Sequence, residues 1–197
     1  MWIDVHVHPV LVKELTDNRP QLVRAVDEIF DLRTSPQPIS NMLSEMDVCG
    51  IERSIPLPIN CEKSHDCKIP SNQEIAEIAR LHPSRFVGFA SVDPNAGQQA
   101  MRELRQAHDQ LGLRGLKLNP APQDLDPTGP LALQLYEEAE RLGIPILIHT
   151  GITFCNRFSI SRNQPLRLGD IARKHPRLNL LGSHGLALGL GCCGCCD

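Results

Sequence analysis

The segment IDVHVHP at residues 3–9 decides how the rest of the chain is read. Apolar Ile3, Val5 and Val7 alternate with Asp4, His6 and His8, and alternate residues of a strand share a face. A strand of this kind aims two imidazoles at one point. Working outward, short apolar runs recur at 53–58 (RSIPLP), 86–92 (FVGFASV), 113–118 (LRGLKL), 144–149 (IPILIH) and 178–181 (LNLL). The last four close on Asp93-Pro94, Asn119-Pro120, Thr150-Gly151 and Gly182-Ser183-His184, all turn-forming pairs or triplets.

Helical patterns separate these runs. Residues 39–48 form one. Residues 72–81 place Ile75, Ile78 and Ala79 on one face behind Ser71, a natural N-cap. Residues 98–111 space Met101, Leu104, Ala107 and Leu111 helically, and 131–142 do the same with Leu133, Tyr136, Ala139 and Leu142 before Gly143, a helix-ending glycine. Residues 166–174 make a shorter helix, and 9–38 read as an insertion with one helix over 20–30. Strand–helix alternation of this sort gives parallel strands. The fold class is α/β, either a (β/α)8 barrel or a doubly wound sheet, with about six strand–helix units.

Composition narrows the function. Of 197 residues, 41% are hydrophobic and 22% charged, and the net charge is −3. These values fit a packed soluble domain rather than a disordered or fibrous chain. No basic excess points to nucleic acid or a membrane surface, and no apolar run approaches the roughly 20 residues of a membrane helix. The N-terminus lacks a basic leader, so a cytoplasmic location and a small-molecule substrate are expected. Without a secretory signal, the 8 cysteines are not read as a disulfide framework.

In a parallel barrel the chemistry sits at the carboxyl ends of the strands. His6, His8, His149 and His184 all fall at such ends, with Lys117 on the run 113–118. Neutral imidazole is a common ligand for zinc, iron, nickel or manganese, and a catalytic site wants about three protein ligands with a position left open. His6 and His8 with His149 are the candidate metal ligands. Lys117 is a candidate partner for a substrate carboxylate, with Arg53 and Arg114 as further cations. His65, between Cys61 and Cys67, is read as part of a solvated loop. His82 and His175 precede prolines at helix ends and are read as capping or exposed, and His108 as exposed.

On these residues the sequence resembles the amidohydrolase-related family of the metal-dependent amidohydrolase superfamily, the branch that includes aminocarboxymuconate-semialdehyde decarboxylase and resorcylate decarboxylase. The segments that carry the likeness are IDVHVHP (3–9), HPSRFVGFASVDP (82–94), GLRGLKLNP (112–120), GIPILIHTG (143–151) and HPRLNLLGSHG (175–185). The resemblance implies a (β/α)8 TIM barrel holding one divalent metal ion, usually zinc, on His6, His8 and His149. It gives His184 a catalytic part, binding a second metal or polarising substrate or water, and, since members are often homodimers, a homodimer is the expected assembly. It implies hydrolysis of C–N or C–O bonds of a small organic substrate by metal-activated water, with decarboxylation on the same scaffold as the alternative. The aspartate that the family carries after its eighth strand has no counterpart here. The likeness stops near Gly185, where LALGLGCCGCCD follows. Residues 1–185 are therefore read as a partial barrel domain and 186–197 as an aberrant Gly/Leu/Cys-rich tail of a truncated or frameshifted chain, for which an inactive fragment is the third reading.

Overall fold

A computed structural model describes residues 2–17, 19, 23, 26–27, 35–153 and 158–184. The tail at 186–197 and most of the helix expected over 20–30 lie outside the described residues. Strand β1 (Trp2–Val7) pairs in parallel with β2 (Ile51–Pro56). Strand β5 (Leu116–Leu118) pairs in parallel with β6 (Ile146–His149), and β6 with β7 (Leu180–Ser183). The run 86–92 joins the two groups without forming a full ladder. Phe86 bridges Ser54 and Ala90 bridges Leu116, both in parallel. The Lys117 amide donates to the Ala90 carbonyl at 2.7 Å. Among the described residues the parallel order is thus β1, β2, 86–92, β5, β6, β7, the six runs read from the sequence. The last lies two residues later than the apolar run suggested.

Helices α1 (Lys13–Thr16), α2 (Ile39–Val48), α4 (Asn72–Leu81), α5 (Gln98–Asp109), α6 (Pro130–Leu142) and α7 (Arg167–Lys174) lie between the strands. Their ends follow local chemistry. Ser71 caps α4 in a closed box. Its hydroxyl accepts from the Glu74 amide at 3.3 Å and Glu74 accepts from the Ser71 amide at 2.7 Å, which satisfies two helix-start donors. Helix α6 opens on Pro130 and ends where Gly143 turns left-handed at φ +67°.

The main core forms between the sheet and α5 and α6. Leu116, Leu118, Ile146 and Ile148 point toward Leu104, Leu135, Tyr136 and Ala139. The period of two puts Lys117, Leu147 and His149 on the opposite, interior face, where Leu147 packs with Leu57 and Phe89. One element was not anticipated. Residues 59–69 form an antiparallel hairpin, β3 (Ile59–Cys61) and β4 (Cys67–Ile69), joined by the one-turn helix α3 (Glu62–His65). The solvated-loop reading is corrected here: Cys61 and Cys67 are buried cross-strand partners in an apolar cluster with Val10, Ile59 and Ile69.

Two glycines test this packing in opposite directions. A Cβ at Gly115 would overlap the buried Phe89 ring, whereas one at Gly169 in α7 meets nothing within 4 Å. Gly115→Ala is expected to destabilise by about 1–3 kcal/mol through overpacking. Gly169→Ala is expected to stabilise by about 0.5–1 kcal/mol through helix propensity. Urea unfolding of the two variants should move to opposite sides of the parent chain.

Candidate active site

The strand order brings His6 from β1, His8 from the residue after it, Lys117 from β5, His149 from β6 and His184 from the residue after β7 to one interior point. His6 is the hub. Its Nε2 lies 3.1 Å from His8 Nε2 and 3.3 Å from Lys117 Nζ. Its ring centroid is 4.9 Å from that of His8, 6.3 Å from His149 and 4.8 Å from His184. The rings of His149 and His184 are 5.0 Å apart. One nitrogen each of His6, His149 and His184 lie mutually within 4.8 Å. The structure therefore gathers all five residues singled out in the sequence. It groups His184 with His6 and His149, while His8 meets the group through His6.

Backbone carbonyls fix two of the rings. His8 Nδ1 is 2.9 Å from the Leu57 carbonyl, and His149 Nε2 is 3.2 Å from the Ile152 carbonyl. A carbonyl can only accept, so each of these nitrogens carries the proton, and the other nitrogen of each ring presents a lone pair. His8 Nε2 thus offers a lone pair to His6 Nε2. A protonated Lys117 would donate to that same His6 nitrogen, leaving the two Nε2 lone pairs facing each other. A shared proton or a cation relieves this opposition. With metal–nitrogen bonds near 2.0–2.1 Å, two nitrogens on one ion stand roughly 2.9–3.4 Å apart. The observed 3.1 Å falls in that interval. The donor set fits a divalent ion.

The electrostatics agree. Burial, with the Lys117 charge second, lowers the His6 pKa to about 2. The same two causes lower His8 to about 3 and His149 to about 4, and they lower the more exposed His184 as well. All four rings are therefore neutral at pH 7, the state a metal ligand needs. Lys117 is fully buried, and loss of hydration alone lowers its pKa to about 7. Among the described residues no carboxylate lies within ion-pair distance of it.

Other sequence candidates stand elsewhere. Arg53 and Arg114 are exposed and precede the carboxyl ends of their strands. His65 packs edge-on against Phe158, 4.7 Å between centroids. His108 is partly covered and bonds Asp109. His175 takes the capping place of its two readings, its amide donating to the Ile171 carbonyl at 2.9 Å at the end of α7, and its ring is buried, 5.5 Å from that of Tyr136. Sequence reasoning missed Gln123, which knits the strand-end loops together. Its Nε2 donates to the carbonyls of Asn60 (2.8 Å) and Val92 (2.9 Å), and its Oε1 accepts from the Asn119 amide at 2.7 Å. A glutamine in a polar loop has no signal of its own.

Comparison with known proteins follows the same lines. A family model described as Amidohydrolase matches residues 3–187. The chain is 30% identical over 78 residues to 2-amino-3-carboxymuconate-6-semialdehyde decarboxylase of Dictyostelium discoideum, covering 40% of this chain and 22% of that protein. It is 26% identical over 176 residues to gamma-resorcylate decarboxylase of Rhizobium radiobacter, covering 72% of this chain and 54% of that one. The chain thus spans about half or less of these curated relatives. A TIM-barrel protein of Bordetella bronchiseptica superposes with a TM-score of 0.68 at 23% identity, over 93% of this chain and 66% of its own, which identifies the fold as a TIM barrel. Among the described residues no helix is long and apolar enough to cross a membrane.

The depressed histidines make a prediction for the metal-free chain. Their folded pKa values lie below the unfolded value near 6.5, so the unfolded chain binds more protons once the pH drops below about 6.5. The stability held above pH 6.5 is lost progressively as the pH falls toward 4. In EDTA, the urea midpoint should fall steadily from pH 7 to pH 5, and the fall should be smaller in His149→Gln. An equal fall in that variant would show that His149 is not kept neutral by the fold.

Proposed function

The chain belongs to the amidohydrolase family, and from that premise we propose that it carries the metal-binding part of a lyase that removes CO2 from a small carboxylic acid. The observation that carries this reading is Lys117, an amine wholly removed from water beside four neutral imidazoles. A buried ammonium needs an anion, and a substrate carboxylate is the anion that this chemistry brings. The two curated relatives described above are named as decarboxylases, which supports the same choice.

In this reading His6, His8 and His149 hold one divalent metal ion, which acts as a Lewis acid that orients and polarises the oxygens of the substrate. Lys117 pairs with the substrate anion; the anion raises the lysine pKa from about 7 and keeps the amine charged in the complex. His184, the most exposed of the rings that meet His6, takes up a proton from solvent once the substrate carboxylate is bound, and as imidazolium passes it to the carbon that bears the carboxylate, returning to the neutral ring. That carbon gains the proton, the C–C bond breaks, and its electron pair returns to the substrate skeleton as CO2 leaves. Hydrolysis of a C–N or C–O bond on the same scaffold is the second outcome that the assay separates.

The test combines metal content with turnover of gamma-resorcylate and of a panel of amides and esters. We expect about one metal ion per chain, lost in His6→Ala and His149→Ala. His184→Asn should keep its metal and lose roughly 10²–10⁴-fold in turnover. Loss of metal in His184→Asn would make His184 a ligand instead. Lys117→Met should weaken carboxylate binding by roughly 10- to 100-fold while raising the melting temperature, because it removes a desolvated amine. A lower melting temperature would mark Lys117 as structural. Carboxylate formation without CO2 release would replace the lyase by a hydrolase.

A further inference from the structure

His184 reaches the site with an unusual backbone. Its φ is +64°, a left-handed conformation that a side-chain-bearing residue adopts only when its surroundings hold it there. The holding groups come from the end of β6. The Ser183 carbonyl, in the peptide that leads into His184, accepts twice from Thr150: from its amide at 3.0 Å and from its hydroxyl. The Ser183 hydroxyl in turn donates to the Ile148 carbonyl at 3.3 Å. The next residue, Gly151, is itself left-handed at φ +85°, and a Cβ there would lie 2.5 Å from the His184 carbonyl oxygen and 3.3 Å from its Cβ. The backbone of His184 therefore folds over β6 at a place where only glycine leaves room.

We propose that Thr150 and Gly151 are positioning residues for His184. Thr150 fixes the plane of the Ser183–His184 peptide, and Gly151 admits the backbone of His184. Together they turn its imidazole toward His6 and His149 instead of letting it follow the strand direction outward. Neither residue touches the reacting atoms. The inference rests on reading His184 as a member of the site, but its test reads the position of the ring and needs neither metal nor turnover.

The experiment is histidine ring NMR of the full chain in EDTA, with circular dichroism as the check on folding. In the parent chain, ring-proton cross-peaks should connect His184 with His149 and with His6, matching centroid distances of 5.0 and 4.8 Å. Thr150→Val keeps the amide bond but removes the hydroxyl, and Gly151→Ala adds the clashing carbon. Both should lose the His184 cross-peaks and move the His184 ring resonances, while the His6–His8 cross-peak persists. Thr150→Ser should restore them. Retention of the His184 cross-peaks in Thr150→Val overturns the proposal, as does a failure of Thr150→Ser to differ from Thr150→Val. If Gly151→Ala does not fold, the two Thr150 variants still decide. Loss of turnover in His184→Asn with unaltered ring positions in Thr150→Val would spare the reading of the site and remove only this inference.

Discussion

Loss of hydration governs the electrostatics of the whole strand-end cluster, and the buried amine of Lys117 adds its charge to that effect. Lys117 lies on β5, between the run 86–92 and β6, flanked by Leu116 and Leu118, whose side chains anchor that strand in the core on the opposite face. The amine cannot withdraw without pulling β5 off α5 and α6. Its charge lowers every neighbouring imidazole, and those imidazoles, being neutral, return no counter-charge. The result is a nitrogen-lined interior with lone pairs for a cation and an ammonium for an anion. Both halves of that description come from burial, of the rings and of the amine alike, and from the parallel register that brings them together.

The rim is held by a web of buried polar contacts. Gln123 is buried and ties its own loop at Asn119 to β3 at Asn60 and to the run 86–92 at Val92. Asp93 accepts from the amides of Lys63 and Asn95, at 2.6 and 2.9 Å, and Ser64 donates to the Pro122 carbonyl at 2.7 Å. These bonds tie the β3–β4 hairpin to the ends of 86–92 and β5. These bonds favour one arrangement, since a slip that breaks one of them leaves a buried group unpaired at a cost of about 1–3 kcal/mol.

Much of this was legible in the sequence, for identifiable reasons. A strand with two histidines two residues apart can face them only one way, so IDVHVHP placed His6 and His8 correctly. LKL placed Lys117 opposite two core leucines by the same period. The helices over 72–81 and 131–142 announced their ends through Ser71 and Gly143. The hairpin at 59–69 was not legible, because three-residue strands carry no periodicity and the polar EKSHD between the cysteines suggested solvent. The left-handed turn at His184 had no local signal either; it depends on Thr150 and Gly151, thirty-odd residues away. The orientation of His8 and His149 rests on carbonyls of Leu57 and Ile152, and a main-chain acceptor leaves no trace in side-chain identity. The tail and the expected helix near 20–30 lie outside the described residues.

The contact between His6 and Lys117 joins residues 111 positions apart, whereas Ser183 reaches Ile148 across 35. In chain entropy the longer closure costs only about 1 kcal/mol more. On the ribosome the separation has another meaning. The strand bearing His6 and His8 is made first, and its partner β2 follows within about 50 residues, but the lysine that organises its imidazoles is not yet synthesised. The two histidines spend that interval as ordinary, protonatable side chains of a nascent chain. Burial by the later strands and the charge of Lys117 reach them only when translation delivers the middle of the barrel, so that a motif made before its partners is among the last to become chemically defined.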